Sequence, residues 1–123
     1  MSMTKRVILI VDDVPLIRLA AMDLLGDAGF EVLEAGSADE AIGILENRQD
    51  IALVLTDVQM PGTMDGIKLS HFIRNRWPPV RLIVVSGKDL IHESLLPEGA
   101  RFFFKPYDHN KVIDAIVAML AAA

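Results

Sequence analysis

The chain contains no cysteine. This absence excludes disulfides, thiolate zinc sites and cysteine nucleophiles together, and it fits a reducing compartment. Long hydrophobic runs are missing too. The longest apolar stretches are short and bracketed by charges, so nothing reads as a membrane span. Lys5 and Arg6 precede an apolar run in the manner of a signal peptide, but that run lasts only from Val7 to Val11, too short for a leader. A cytoplasmic location is expected. There is also no basic run of the kind that tracks a phosphate backbone. With a net charge of −5, direct nucleic-acid binding is not expected, and Arg74, Arg76 and Arg81 read as a solvated helix end and loop. His71, His92 and His109 lack mutual metal-ligand spacing. Gly26, Gly29, Gly36 and Gly43 do not form a dinucleotide fingerprint after the first strand.

What is present is one domain's length, 123 residues, with 52% hydrophobic and 24% charged residues. That is enough for a single core and not for a second domain. A short apolar run followed by an amphipathic segment occurs five times, the pattern of a parallel sheet with crossover helices. The first strand is Val7 to Val11. A helix from Pro15 to Ala28 follows, with Leu16, Ala20 and Leu24 on one face and Gly29 as terminator. Phe30 to Ala35 reads as the second strand. Ser37-Ala-Asp-Glu40 is a capping box that starts a helix carrying Ala41, Ile44 and Leu45.

Ile51 to Thr56 is the third strand. Asp65 caps a helix bearing Leu69, Phe72 and Ile73, which Pro78-Pro79 ends. Trp77, before those prolines, and Met60, in the loop after the third strand, read as packing residues. Arg81 to Val85 and Arg101 to Phe104 are the last strands. Asp108 can cap a final helix whose Val112, Ile113, Ile116, Val117 and Leu120 form an apolar stripe. Between Gly87 and Ala100, Leu90, Ile91, Leu95 and Leu96 could give a helical face, but Pro97 and Gly99 stop it early. The fourth helix should be short or irregular.

Chemistry-bearing residues follow several of the strand-like runs: Asp12-Asp13, Asp57, Ser86 and Lys105. In a parallel sheet the C-terminal strand ends share an edge, so these side chains can converge in one crevice. Carboxylates brought that close raise each other's pKa unless a cation compensates, so Asp12, Asp13 and Asp57 favour a divalent ion. An all-oxygen site suits Mg2+. Asp57, alone at the end of a central strand, is the expected nucleophile toward phosphorus, yielding an aspartyl phosphate. Lys105 and the Ser86 hydroxyl can then hold the phosphoryl oxygens. Taken singly, each residue has a blander reading as a cap, turn or surface residue. Their joint placement favours function.

The stretches Ile8-Leu-Ile-Val-Asp-Asp13, Leu55-Thr-Asp-Val-Gln-Met-Pro61 with Met64-Asp-Gly66, Val84-Val-Ser-Gly87 and Phe104-Lys-Pro106 resemble the receiver domain of bacterial two-component response regulators. The resemblance covers nearly the whole chain and implies a receiver domain over residues 1–123. The implied fold is α/β and flavodoxin-like: a doubly wound five-stranded parallel sheet, order 2-1-3-4-5, with five helices. The implied function is a phosphorelay switch that takes a phosphoryl group on Asp57 from a histidine kinase or phosphotransfer protein, with Mg2+ as cofactor. By the same resemblance Asp13 and Asp57 bind metal directly, Asp12 acts through water, and the Gln59 backbone carbonyl completes the ligands. Ser86 and Lys105 grip the phosphoryl group, Ser86 and Phe102 form the switch pair, and the Lys105-Pro106 bond is cis. Phe102 lacks the phenol of a tyrosine switch.

Three features depart from the commonest pattern. Gly62-Thr63 lengthens the loop after Asp57 by one residue. The segment between Ser86 and Lys105 is short and holds Pro97, which puts the usual output face in doubt. Gln59 and Lys88 occupy variable positions expected to affect phosphate lifetime. A flavodoxin-like cofactor binder would need hydroxyls or glycines where Asp12-Asp13 stand. A phosphohydrolase would want a second carboxylate where Gln59 stands, so no turnover of external substrates is expected. The rival readings are a receiver-like module that binds proteins without phosphorylation, or a phosphate sink. A stand-alone regulator is expected, although a piece of a larger regulator or hybrid kinase would read identically. Its target and any homodimer are left open.

Overall fold

A computed structural model of the chain describes residues 5–62, 64–87 and 92–121. The readings made at Thr63, Lys88, Leu90 and Ile91 lie outside the described residues. The elements run β1 (Val7–Val11), α1 (Pro15–Asp27), β2 (Glu31–Ala35), α2 (Ala38–Asn47), β3 (Ile51–Asp57), α3 (Gly66–Arg76), β4 (Arg81–Ser86), a 3-10 turn (Glu93–Leu95), β5 (Arg101–Phe104) and α4 (His109–Ala121). The strands form one sheet in the order β2-β1-β3-β4-β5. Every pairing is parallel.

Strands β1, β3 and β4 read as continuous apolar runs because helices cover both faces of the sheet. Alternate residues feed two cores. Leu9, Val11, Val54, Leu82 and Val84 pack with Leu45, Leu69 and Ile73 of α2 and α3. Ile8, Ile10, Leu53, Leu55, Ile83 and Val85 pack with Leu25 and Ile116 of α1 and α4. Trp77 and Met60 pack against the first of these cores, as expected. The helix starts are chemically marked. Pro15 opens α1, the Ser37 hydroxyl accepts the Glu40 N–H, Asp65 accepts the Lys68 N–H and Asp108 accepts the Asn110 N–H. Each side-chain cap satisfies a donor that the helix leaves without an internal partner.

Four details differ from the sequence-based expectation. First, among the described residues there are four helices rather than five, and the 3-10 turn is the only helical piece between β4 and β5. Pro97, with no N–H to donate, and Gly99, at φ +85°, stop the turn from continuing toward β5. Second, α1 does not bury Leu16 and Ala20. Its inner face is Ala21, Met22 and Leu25, and Leu16 is 75% exposed. Third, Val117 lies outside the α4 stripe, where Ala115 is buried instead.

Fourth, Arg74 is not simply solvated. Its guanidinium donates to the carbonyls of Pro78, Val80 and Glu98. His71 Nε2 meets the Leu95 carbonyl at 2.7 Å, so α3 holds the irregular segment at two points.

Candidate functional site

The C-terminal ends of β1, β3, β4 and β5 bring the expected side chains to one edge. Asp12, directly after β1, is 4% exposed, and Asp57, the last residue of β3, is 8% exposed. Asp13 is exposed, yet one carboxylate oxygen from each of Asp12, Asp13 and Asp57 lies within 4.8 Å of the others. Lys105 reaches in from beyond β5. Its Nζ is 3.1 Å from Asp57 Oδ2 and 3.4 Å from Asp12 Oδ2. The Lys105-Pro106 peptide is cis. Ser86, at the end of β4, is fully buried, and its carbonyl accepts the Lys105 N–H at 2.8 Å. Gln59 lies with Asp13 and Asp65 in an open depression on one side of the acids. Ile17, Gly87, Pro106 and Tyr107 line another beside Lys105.

Phe102 is not part of this cluster. It is half-buried on the α2/α3 side of β5, packed against that core. Its N–H is taken by the Glu93 carboxylate at 3.3 Å.

Electrostatics follow from this geometry. Burial pushes the Asp57 carboxyl above the ordinary aspartate value. The Lys105 hydrogen bond and charge pull it back, Asp12 pushes it up again, and a Gln59 backbone hydrogen bond pulls it down, leaving a net upward shift. At Lys105 burial works against the charged form, but the hydrogen bond and charge of Asp57, joined by Asp12, outweigh it and hold the ammonium above its usual value. One lysine thus faces two buried carboxylates, with a third at the mouth. Asp57 Oδ1 is buried and accepts no hydrogen bond among the described residues. An orphaned anionic oxygen of this kind is costly without a cation or donor. The donor set is oxygen only, which fits a hard divalent ion such as Mg2+.

Three residues beyond the expected set shape this edge. Gly66, the first residue of α3, donates its N–H to the Val58 carbonyl at 2.9 Å. A Cβ placed there would lie 2.0 Å from the Asp57 carbonyl oxygen. Thr56, fully buried, donates its hydroxyl to that same oxygen at 3.0 Å. Arg18 of α1 donates to the Asp12 carbonyl at 2.6 Å. Met64-Asp-Gly66 was visible as a motif, but not the close approach that requires the glycine. Arg18 carried no local signal.

The family model for the response regulator receiver domain matches residues 8–117. The chain belongs to that receiver family. Among solved structures, this receiver domain is similar to a response regulator receiver protein from Sinorhizobium medicae, with a TM-score of 0.90, 27% identity and 98% of each chain covered. It is 36% identical over 112 residues to the response regulator protein FleR of Pseudomonas aeruginosa, which covers 89% of this chain and 23% of FleR. It is 32% identical over 113 residues to sporulation initiation phosphotransferase F of Bacillus subtilis, covering 89% of each. The chain spans about half or less of the length of the first curated relatives it matches. Membership supports a role in phosphorylation-dependent signalling, and receiver domains bind Mg2+ at an acidic pocket. No helix among the described residues is long and apolar enough to cross a membrane.

Proposed function

We propose that Asp57 accepts a phosphoryl group from a phosphohistidine on a histidine kinase or phosphotransfer protein, and that the phosphorylated receiver domain presents a changed protein-binding surface. The observation that carries this reading is the buried Asp57 carboxylate, one oxygen paired with Lys105 and the other, Oδ1, with no hydrogen-bond partner found among the described residues. Asp57 attacks phosphorus through one carboxylate oxygen. As the new O–P bond forms, the P–N bond to the donor imidazole breaks, and its electron pair stays on the nitrogen. Lys105 and the Ser86 hydroxyl then hold phosphoryl oxygens, and Phe102 moves inward as Ser86 shifts toward the phosphate. Asp13, Asp57 and the Gln59 backbone carbonyl would hold Mg2+ directly, and Asp12 through water. Bound there, the ion supplies charge neutralisation for the phosphoryl oxygens. Beyond its own phosphorylation and dephosphorylation the domain, taken as residues 1–123 and cytoplasmic, catalyses nothing.

A phosphoprotein donor also needs a docking surface. Four of the large exposed hydrophobic residues, Val14, Leu16, Ile17 and Leu19, lie at the start of α1. Ile17 borders the Lys105 depression, so this apolar face adjoins the phosphoacceptor. Leu16→Arg is expected to slow transfer from the kinase or phosphotransfer protein by about tenfold, leaving transfer from acetyl phosphate unchanged. Equal transfer from the phosphoprotein donor would remove α1 from the docking surface.

The chemistry itself is tested by intact mass after incubation with acetyl phosphate and Mg2+. Wild type gains a phosphoryl mass and Asp57→Asn does not. If no adduct forms, beryllofluoride binding separates rapid loss from no reaction. Wild type that takes up neither reagent would leave a contact-only binding module.

A further inference from the structure

We propose that Arg18 is a positioning residue for the acid pair, holding the β1–α1 turn so that Asp12 and Asp13 present their carboxylates at metal-binding spacing. The inference rests on the reading of the acid cluster as a Mg2+ site and deepens it.

Asp12 is held at every polar atom except the carboxylate oxygen that faces the site. Its N–H donates to the Ala35 carbonyl at 3.1 Å. Its Oδ1 accepts the Val14 N–H at 2.9 Å. Its carbonyl, where the strand has ended and no ladder partner remains, accepts Arg18 Nη1 at 2.6 Å. Only Oδ2 is left to face Lys105. The peptide that follows this carbonyl carries Asp13, so the guanidinium fixes the plane from which the second carboxylate projects.

Arg18 is itself held. Its Nε donates to Glu34 of β2 at 2.8 Å, its side chain is 16% exposed, and its Nη1 would lie 3.3 Å from a Cβ at Gly36. Arg18 sits in the first turns of α1, where a cation opposes the helix macrodipole. Helix stability therefore does not explain an arginine there. The planar fork does, because it can bond a carbonyl and a carboxylate together, which a lysine ammonium on a flexible stem does not do with the same geometry.

The test is Mg2+ affinity by isothermal titration calorimetry on wild type, Arg18→Met and Arg18→Lys, beside urea unfolding of each without Mg2+. Both variants are expected to bind Mg2+ about tenfold more weakly, as for other outer-shell partners of metal ligands. Arg18→Lys keeps the charge opposite Glu34 and is expected to unfold near the wild-type urea concentration, so its weaker binding reports geometry rather than stability. Wild-type affinity in Arg18→Lys would overturn the positioning role. Failure of wild type itself to bind Mg2+ would instead remove the metal reading, and this inference with it.

Discussion

Gly66→Ala is expected to lower the unfolding free energy by about 3 kcal/mol or more and to abolish phosphoryl uptake. The added Cβ would sit 2.0 Å from the Asp57 carbonyl oxygen, 2.7 Å from its carbon and 2.9 Å from Val58 Cα. All three are backbone atoms, so no rotamer change relieves the contact, and α3 must lift from β3. Lifting it stretches the Gly66 N–H bond to Val58 and disturbs the oxygen that Thr56 also bonds. The peptide of Asp57 itself is thus what moves. A loss of this size corresponds to roughly 10 °C or more in Tm for a domain of this length. Urea unfolding and acetyl phosphate labelling measure the two effects separately. Wild-type values in both would mean that α3 does not approach β3 this closely.

Without Mg2+, Asp57→Asn is expected to be more stable than wild type at neutral pH. The folded protein holds the Asp57 proton more tightly than the unfolded chain does, because burial and Asp12 outweigh Lys105. Between the ordinary aspartate value near 3.8 and the raised folded value, the folded state binds more protons, so stability falls as pH rises. Asparagine mimics the neutral form and escapes that fall. The margin between variant and wild type should be absent in acid, open above about pH 4 and become constant above the raised value. A bound divalent ion should reverse the ranking. At a hundredfold excess over its Kd it stabilises wild type by about 2.7 kcal/mol, and it stabilises Asp57→Asn less. Thermal unfolding across pH, with and without Mg2+, checks both parts. A margin that shrinks with rising pH would contradict the raised carboxyl.

Strand positions were legible because strands covered on both faces need unbroken apolar runs, and Val7 to Val11 and Ile51 to Thr56 supply them. The convergence of Asp12, Asp13, Asp57 and Lys105 followed from parallel topology alone, since parallel strands end on one edge. Helix α1 was misread for the opposite reason. Leu16, Ile17, Leu19, Ala20, Ala21, Met22, Leu24 and Leu25 make it apolar nearly all round, so spacing could not choose a face. The face that turns inward carries Arg18, whose purpose is a carbonyl on another element. The glycine at Gly66 and the carbonyl contacts of Arg74 were hidden in the same way, because distances between elements leave no local trace. Pro97 and Gly99 were readable as helix breakers, and among the described residues a 3-10 turn is what lies between β4 and β5.

The order in which the site's parts occur along the chain also bears on synthesis. The acids come from β1 and β3, the hydroxyl from β4, and the amine only after β5, the outermost strand beyond β4. A nascent chain emerging from the ribosome presents its carboxylates first and their counter-charge last. Every fragment that stops before Lys105 lacks the lysine facing Asp57. Such a fragment carries Asp12, Asp13 and Asp57 without the ammonium that pairs with Asp12 and Asp57 in the folded domain.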